Sequence, residues 1–262
     1  MGQSSIEIAH LRQFLKLLEL SPNFEQCEEP QPDFKIILNN KVIGIEHTRL
    51  LLPKDSKGND PVKHHVSSNR IIENAERMFK EKRNEKLTVT VNFFGSYGLS
   101  LKSNMLTGKD VKELSKFICD FVLINIPEYG ARRSFEQFDM QLGEQILPDQ
   151  IDHISIDHKY DCWTQSEGGL VPDIRSDALY SRIASKDPKL KNYNNTFDEV
   201  WLLIVENQWN MLSYFDFSYA NDIEVNSHFN KVFIMRSGND EVYECNNQIT
   251  TCERWKGSGY IG

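Results

Sequence analysis

The run Glu199-Val200-Trp201-Leu202-Leu203-Ile204-Val205-Glu206 is apolar at every position between its two glutamates. An amphipathic element would show a polar face, and this one shows none. It is therefore predicted to be a strand buried on both sides, central in a sheet. A chain that contains such a strand needs covering layers above and below it, which points to an α/β domain with a mixed central sheet flanked by helices.

The covering layers are legible in the helical spacing. Ser4-Ser5 can cap a helix from Ile6 to Leu20, with Leu11, Phe14, Leu15 and Leu18 on one stripe. Val66–Arg83 and Asp110–Ile126 show the same periodicity, and Pro127 ends the latter. Ala178, Leu179, Ile183 and Ala184 mark a further helix, with Asp173 or Ser176 as its cap. Residues 50–63 read as a loop, because Pro53, Gly58, Asp60 and Pro61 break any period.

Leu87–Phe93 alternates as a strand, Ile151–Tyr160 is a weaker candidate, and Gly95–Gly108 and Glu167-Gly168-Gly169 read as loops. Lys231–Arg236 and Glu241–Cys245 form two short strands about a Gly238-Asn239-Asp240 turn. The expectation is a single domain over residues 1–262, with residues 95–170 as a candidate insertion.

Hydrophobic content of 39% and charged content of 26% are those of a globular protein, and no apolar run approaches the ~20 residues of a membrane span. With no basic and apolar leader at Met1–Ser5, a cytoplasmic location and no membrane partner are expected. The five cysteines are scattered singly without CxxC spacing, which predicts idle thiols rather than bridges or a zinc site. The seven histidines show no metal-ligand spacing near an acid, and no GxxxxGK loop is present for ATP. Trp163, Trp209, Tyr214, Phe215, Phe217 and Tyr219 are expected to pack in cores rather than stack on bases. A net charge of −8 argues against global electrostatic capture of nucleic acid and leaves room for a local basic groove.

Chemistry concentrates in Pro32–Thr48. Phe34, Ile36 and Leu38 alternate, Asn39-Asn40-Lys41 forms a turn, and Val42, Ile43 and Ile45 follow, the signature of a hairpin. Positions equidistant from the turn face each other, so Asp33 meets Glu46. Two like charges placed opposite destabilise a sheet, and a divalent cation is the simplest partner that would justify them. Glu7, four residues before Leu11, is either a first-turn acid favoured by the helix dipole or one aimed into the same site.

This order of helix, Pro-Asp strand, turn and Ile-Glu-x-Thr strand resembles the PD-(D/E)xK superfamily of restriction-endonuclease-like nucleases. The resemblance implies Asp33 and Glu46 as metal ligands, the His47 carbonyl as a further one, and Glu7 as the helix-borne acid that often joins them. Where the family carries a lysine, two residues after the second acid, this chain has Thr48. Some branches move that lysine onto a later helix, in a pattern similar to Ile183, Lys186, Lys189 and Tyr193 followed by the apolar strand at 201–204.

What the resemblance implies is a Mg²⁺- or Mn²⁺-dependent nuclease acting on DNA, with RNA as the other substrate open to it, in a bacterial defence or restriction-like role. Lys186 is the first choice for the catalytic lysine, and Lys189 the second, with contact to a phosphate as its more natural task. Asp187-Pro188 between them is expected to break the helix, which would put the two lysines on different faces. The alternative implied by Thr48 is an inactive nuclease-like fold serving as a nucleic-acid- or protein-binding subunit. The acidic balance further suggests a homodimer, or a partner subunit in a defence complex, to supply the missing positive surface. The decisive expectation is geometric: Lys186 must lie within about 6 Å of the acids to act on them electrostatically.

Overall fold

The computed structural model describes residues 3–54, 60–93, 106–137, 139–141, 144–166, 171–193, 196–207, 210–245 and 252–255. The predicted loops at 95–108 and 167–169 lie wholly or largely outside these residues. The chain opens with α1 (Gln3–Leu17), β1 (Phe24–Gln26), β2 (Phe34–Leu38) and β3 (Lys41–Arg49). It continues through α2 (Pro61–Lys80), β4 (Thr88–Phe93), α3 (Gly108–Ile124), β5 (Arg132–Glu136), β6 (Met140–Gln141), β7 (Glu144–Gln145), β8 (Ile151–Asp157) and β9 (Cys162–Gln165). Then come α4 (Asp177–Lys186), a 3-10 turn (Asp187–Asn192), β10 (Glu199–Glu206), β11 (Lys231–Arg236), β12 (Glu241–Cys245) and β13 (Cys252–Arg254).

Two compact units result: 1–53 with 171–262, and 54–170. The second unit thus begins well before residue 95, and takes in both α2 and β4.

The first unit is built on a seven-stranded mixed sheet in the order β1-β2-β3-β10-β11-β12-β13. The apolar run forms β10, which pairs in parallel with β3 on one side and β11 on the other. Its alternate residues serve different layers. Trp201, Leu203 and Val205 join Leu11, Phe14, Leu15 and Leu18 of α1, while Leu202 and Ile204 pack with Ala178, Leu179 and Ile183 of α4 and with Phe215 and Phe229. Helices on both faces explain why the strand has no polar residue to spare.

The hairpin forms, with a turn of two residues rather than the expected Asn39-Asn40-Lys41, because Lys41 pairs with Leu38 and already belongs to β3. Asn39 and Asn40 adopt φ of 50° and 62°, the left-handed pair of a type I′ turn, whose twist suits two antiparallel strands and which asparagine tolerates. β2 and β3 pair with Phe34 opposite Ile45, which sets Asp33 against Glu46.

The second unit has a four-stranded sheet in the order β5-β8-β4-β9, with α2 and α3 covering Val89, Val91, Ile154 and Ile156. Here Pro61 starts a helix rather than prolonging a loop. It sits at the first turn, where a missing N–H costs nothing, and Asp60 caps the helix by accepting from Val62 and Lys63 N–H.

The cysteine expectation is corrected in one place. Cys245 and Cys252 are joined in a disulfide, because β12 pairs with β13, a strand the sequence did not reveal, and puts the two directly opposite. Cys27, Cys119 and Cys162 are free thiols. Among the described residues no helix is long and apolar enough to cross a membrane.

Candidate active site

Strand register decides which side chains meet. On β3, Ile43, Ile45 and His47 lie opposite Glu199, Trp201 and Leu203, so Ile45 packs toward α1 and Glu46, paired with Leu202, faces α4. Glu46 is fully buried. A lone carboxylate there would be costly, and the chain surrounds it with donors.

Lys186 Nζ lies 2.7 Å from Glu46 Oε1 and Lys189 Nζ 2.8 Å from the same oxygen, while Tyr193 Oη donates to Oε2 at 2.7 Å. Burial pushes the Glu46 carboxyl up, but these hydrogen bonds and the Lys186 charge outweigh it and hold the group below its ordinary value. Burial and the adjoining Glu46 charge raise the Tyr193 hydroxyl well above the usual phenol range, so it stays a donor.

The expected separation of the two lysines is overturned by the kind of break that Pro188 makes. α4 ends at Lys186, and the chain tightens into the 3-10 turn rather than leaving the helix axis. In a 3-10 turn residues three apart eclipse one another, so Lys186 and Lys189 project to one side. Asp187 fixes the turn by accepting from Ser227 Oγ at 2.7 Å and from His228 N–H at 3.2 Å.

Asp33 completes the group from the mouth of β2. Its Oδ2 accepts the His47 N–H at 2.7 Å. Burial and the Glu46 charge push its pKa up to about 6, against the pull of that hydrogen bond and of Lys186. Asp33 is thus the under-compensated anion of the pair. Glu7, half-buried on α1, adds a further upward push through its charge.

His47 divides its roles. Its carbonyl faces Lys186 Nζ at 3.4 Å, whereas its ring turns to the α1 side and meets His10, Nδ1 to Nε2, at 3.1 Å. Burial, His10 and the nearby cations lower the His47 ring to about 3, so it is neutral. Thr48, two residues beyond Glu46, is buried. Gly44 supplies the clearance behind Asp33: a Cβ there would come within 2.7 Å of Pro32 Cγ.

The oxygens available to a cation are the Asp33 and Glu46 carboxylates and the His47 carbonyl, a hard donor set that suits Mg²⁺ or Mn²⁺. Among the described residues no three His, Cys, Asp or Glu side chains converge as a ready cage, so the third oxygen would be the backbone carbonyl. The uncompensated charge on Asp33 fits an added cation.

Of the residues singled out in the sequence, Lys186, Lys189, Asp33, Glu46 and the His47 backbone are brought together, and Glu7 acts on Asp33 through its charge. The sequence reading gave no role to Tyr193, although the motif spacing contains it, nor to His10, whose signal was its place one turn before Phe14 on the α1 stripe. Comparison with known proteins returns nothing: no family model, no curated protein and no solved structure matches at a significant level.

Proposed function

We propose that the protein is a Mg²⁺-dependent nuclease of restriction-endonuclease-like fold that hydrolyses phosphodiester bonds of DNA, in a bacterial defence or restriction-like setting. The observation that carries the reading is the arrival of Lys186 at Glu46, from 140 residues further along the chain, beside a second, desolvated carboxylate. A bound divalent ion would supply Lewis-acid polarisation of the phosphate and a more acidic water.

The chain's own groups have separate tasks. Asp33 and Glu46 would hold the ion, with the His47 carbonyl beside them. Tyr193 fixes the Glu46 carboxylate in one orientation through Oε2. Lys186, the more buried of the two lysines, stabilises charge developing on the phosphate, and Lys189, 42% exposed along its side chain, can reach an adjoining phosphate oxygen.

The test is incubation with plasmid and Mg²⁺ or Mn²⁺. Cleavage is expected for the wild type and its loss for Asp33→Ala, Glu46→Ala and Lys186→Ala. Unchanged cleavage in the acid variants would remove this site from the reaction. One observation favours the second reading, an inactive binding subunit: both Glu46 oxygens already carry protein donors. Calorimetric titration with Mg²⁺ separates the two, since only the nuclease reading expects binding that depends on Asp33 and Glu46.

A further inference from the structure

One end of the four-stranded sheet in the second unit carries exposed rings and cations. The pairing of β5 with β8 runs on past Arg132 and Asp157: Gly130 N–H donates to His158 O at 2.9 Å, and His158 N–H to Ala131 O at 3.1 Å. Ala131 N–H closes a tight turn onto Glu128 O, in which Gly130 takes a φ of 80° and Tyr129 stands at the tip. Thr88 Oγ1 donates to Tyr160 O at 3.3 Å and ties the end of β8 to the start of β4.

Tyr129 and Tyr160 are 81% and 63% exposed, the two most exposed tyrosines among the described residues. Tyr129 stands edge-on to His158 with ring centroids 5.6 Å apart, and His158 Nδ1 is anchored on Pro127 O at 2.9 Å. Lys159 Nζ lies 5.1 Å from the centre of the Tyr160 ring. Both rings sit on backbone that hydrogen bonds already hold, so a ligand meets them at little ordering cost.

Four cations belong to the same end. Arg132 and Arg133 occupy successive positions of the edge strand β5 and so point to opposite faces of the sheet. Lys86 precedes β4 by two residues, and Lys159 follows β8 by two. All four are exposed, and among the described residues none has a carboxylate within ion-pair distance. Lys80 and Lys82 differ, being paired with Asp161 and Asp120 at 3.1 Å. Glu128 and Asp157 are the acids left at this end, so positive charge prevails there.

We infer that this end of the second unit is a binding surface for single-stranded DNA. An exposed ring stacks on a base of any identity, and a base offers its face only when it is unpaired, so the tyrosines select a strand over a duplex. Cations on both sides of the sheet end meet the backbone phosphates that flank the stacked bases. The inference rests on the nuclease reading for its substrate and narrows that substrate to DNA with an unpaired stretch. It also gives a chain of net charge −8 the local positive surface that it lacks overall.

The experiment measures binding of a fluorescein-labelled oligothymidylate to the full chain by anisotropy, over a KCl series in EDTA, where no cutting occurs. A blunt duplex of equal length is the comparison, and the strand should bind more tightly. Tyr129→Ala and Tyr160→Ala are each expected to weaken strand binding about tenfold with the salt slope unchanged, while the phenylalanine variants keep the affinity. Arg133→Ala and Lys159→Ala should each flatten the plot of log Kd against log salt by about 0.7. Tyr219→Ala, exposed in the other unit, should change neither. All these side chains are exposed, and circular dichroism melts check that each variant folds.

Cleavage in Mg²⁺ is followed in parallel on the oligonucleotide and on plasmid. A wild type that cuts, yet binds the strand equally well with either tyrosine replaced by alanine, overturns the surface and leaves the nuclease reading standing. A wild type that binds the strand through the tyrosines but cuts nothing supports the surface and overturns the nuclease reading. A wild type that neither binds nor cuts overturns both.

Discussion

Replacing Lys186 and Lys189 by methionine, singly and together, should reveal that one carboxylate is sharing two cations. Glu46 is 1% exposed along its side chain, Lys186 16% and Lys189 42%, with both ammonium groups within 2.8 Å of one oxygen. At an effective dielectric of about 20, a charge pair at this range attracts by roughly 6 kcal/mol, while desolvating the carboxylate costs several kcal/mol. One ammonium therefore suffices to keep Glu46 ionised. Loss of Lys186 alone should cost about 1–2 kcal/mol, and loss of the more exposed, better screened Lys189 about 1 kcal/mol or less.

Loss of both leaves a buried carboxylate with only Tyr193 to hold it, a defect of about 3–5 kcal/mol that exceeds the two single effects together. Glu46→Gln placed on the double variant removes the stranded charge and should restore most of that stability. The assay is urea unfolding in EDTA, followed by tryptophan fluorescence, with Trp201 buried beside the hairpin as a reporter. Additive single effects, or a triple variant no more stable than the double, would refute the shared-charge account. Under the proposed function, Mg²⁺ should raise the urea midpoint of the double variant more than that of the wild type, because an added cation then meets an unpaired acid.

Gly44→Ala should destabilise by about 1–3 kcal/mol and, under the proposed function, lower cleavage, because the new methyl group displaces Pro32 and with it Asp33; urea unfolding and plasmid assays read the two effects. Tyr193→Phe removes one charge-assisted hydrogen bond to Glu46 and should cost about 1.5–3 kcal/mol in urea, with the carboxyl pKa rising as seen by NMR titration. Glu206 is a separate test of sign. Burial raises its pKa, against the pull of Arg236, whose Nε stands 3.5 Å from Oε2 with neither atom finding a hydrogen-bond partner. The native state then holds this proton more tightly than the unfolded chain, so stability falls as pH rises from the ordinary glutamate value through the native one. Glu206→Gln should melt higher than wild type at neutral pH, and the gain should vanish in thermal scans below about pH 4.

How much of this was legible in the sequence follows from the range of each signal. The strand at 199–206 and the β11–β12 hairpin were read to the residue, since full burial and strict turn chemistry write themselves locally. The acid pair was legible in the alternation on either side of the asparagines, although Lys41 was read into the turn and in fact pairs with Leu38. β13 and the Cys245–Cys252 bridge were missed because a three-residue edge strand carries no periodicity.

Pro61 was read as a breaker, although the capping Asp60 before it marks a helix start. Pro188 was read correctly as an interruption and wrongly as a separation. Whether a proline sends a chain away from its axis or into a tighter turn depends on what holds the next residues, here Asp187 on Ser227, 40 positions distant.

The discontinuity of the first unit also sets a timetable for synthesis. Asp33 and Glu46 leave the ribosome early, and the lysine that answers Glu46 follows 140 residues later. At roughly 5–20 residues per second that interval is about 7–30 s. Throughout it the growing chain holds both acids with neither cation, while the whole of 54–170 emerges and can fold on its own contacts. A nascent or prematurely ended chain therefore carries Asp33 and Glu46 without their lysines, and the last part of the site to be made is the part that compensates Glu46.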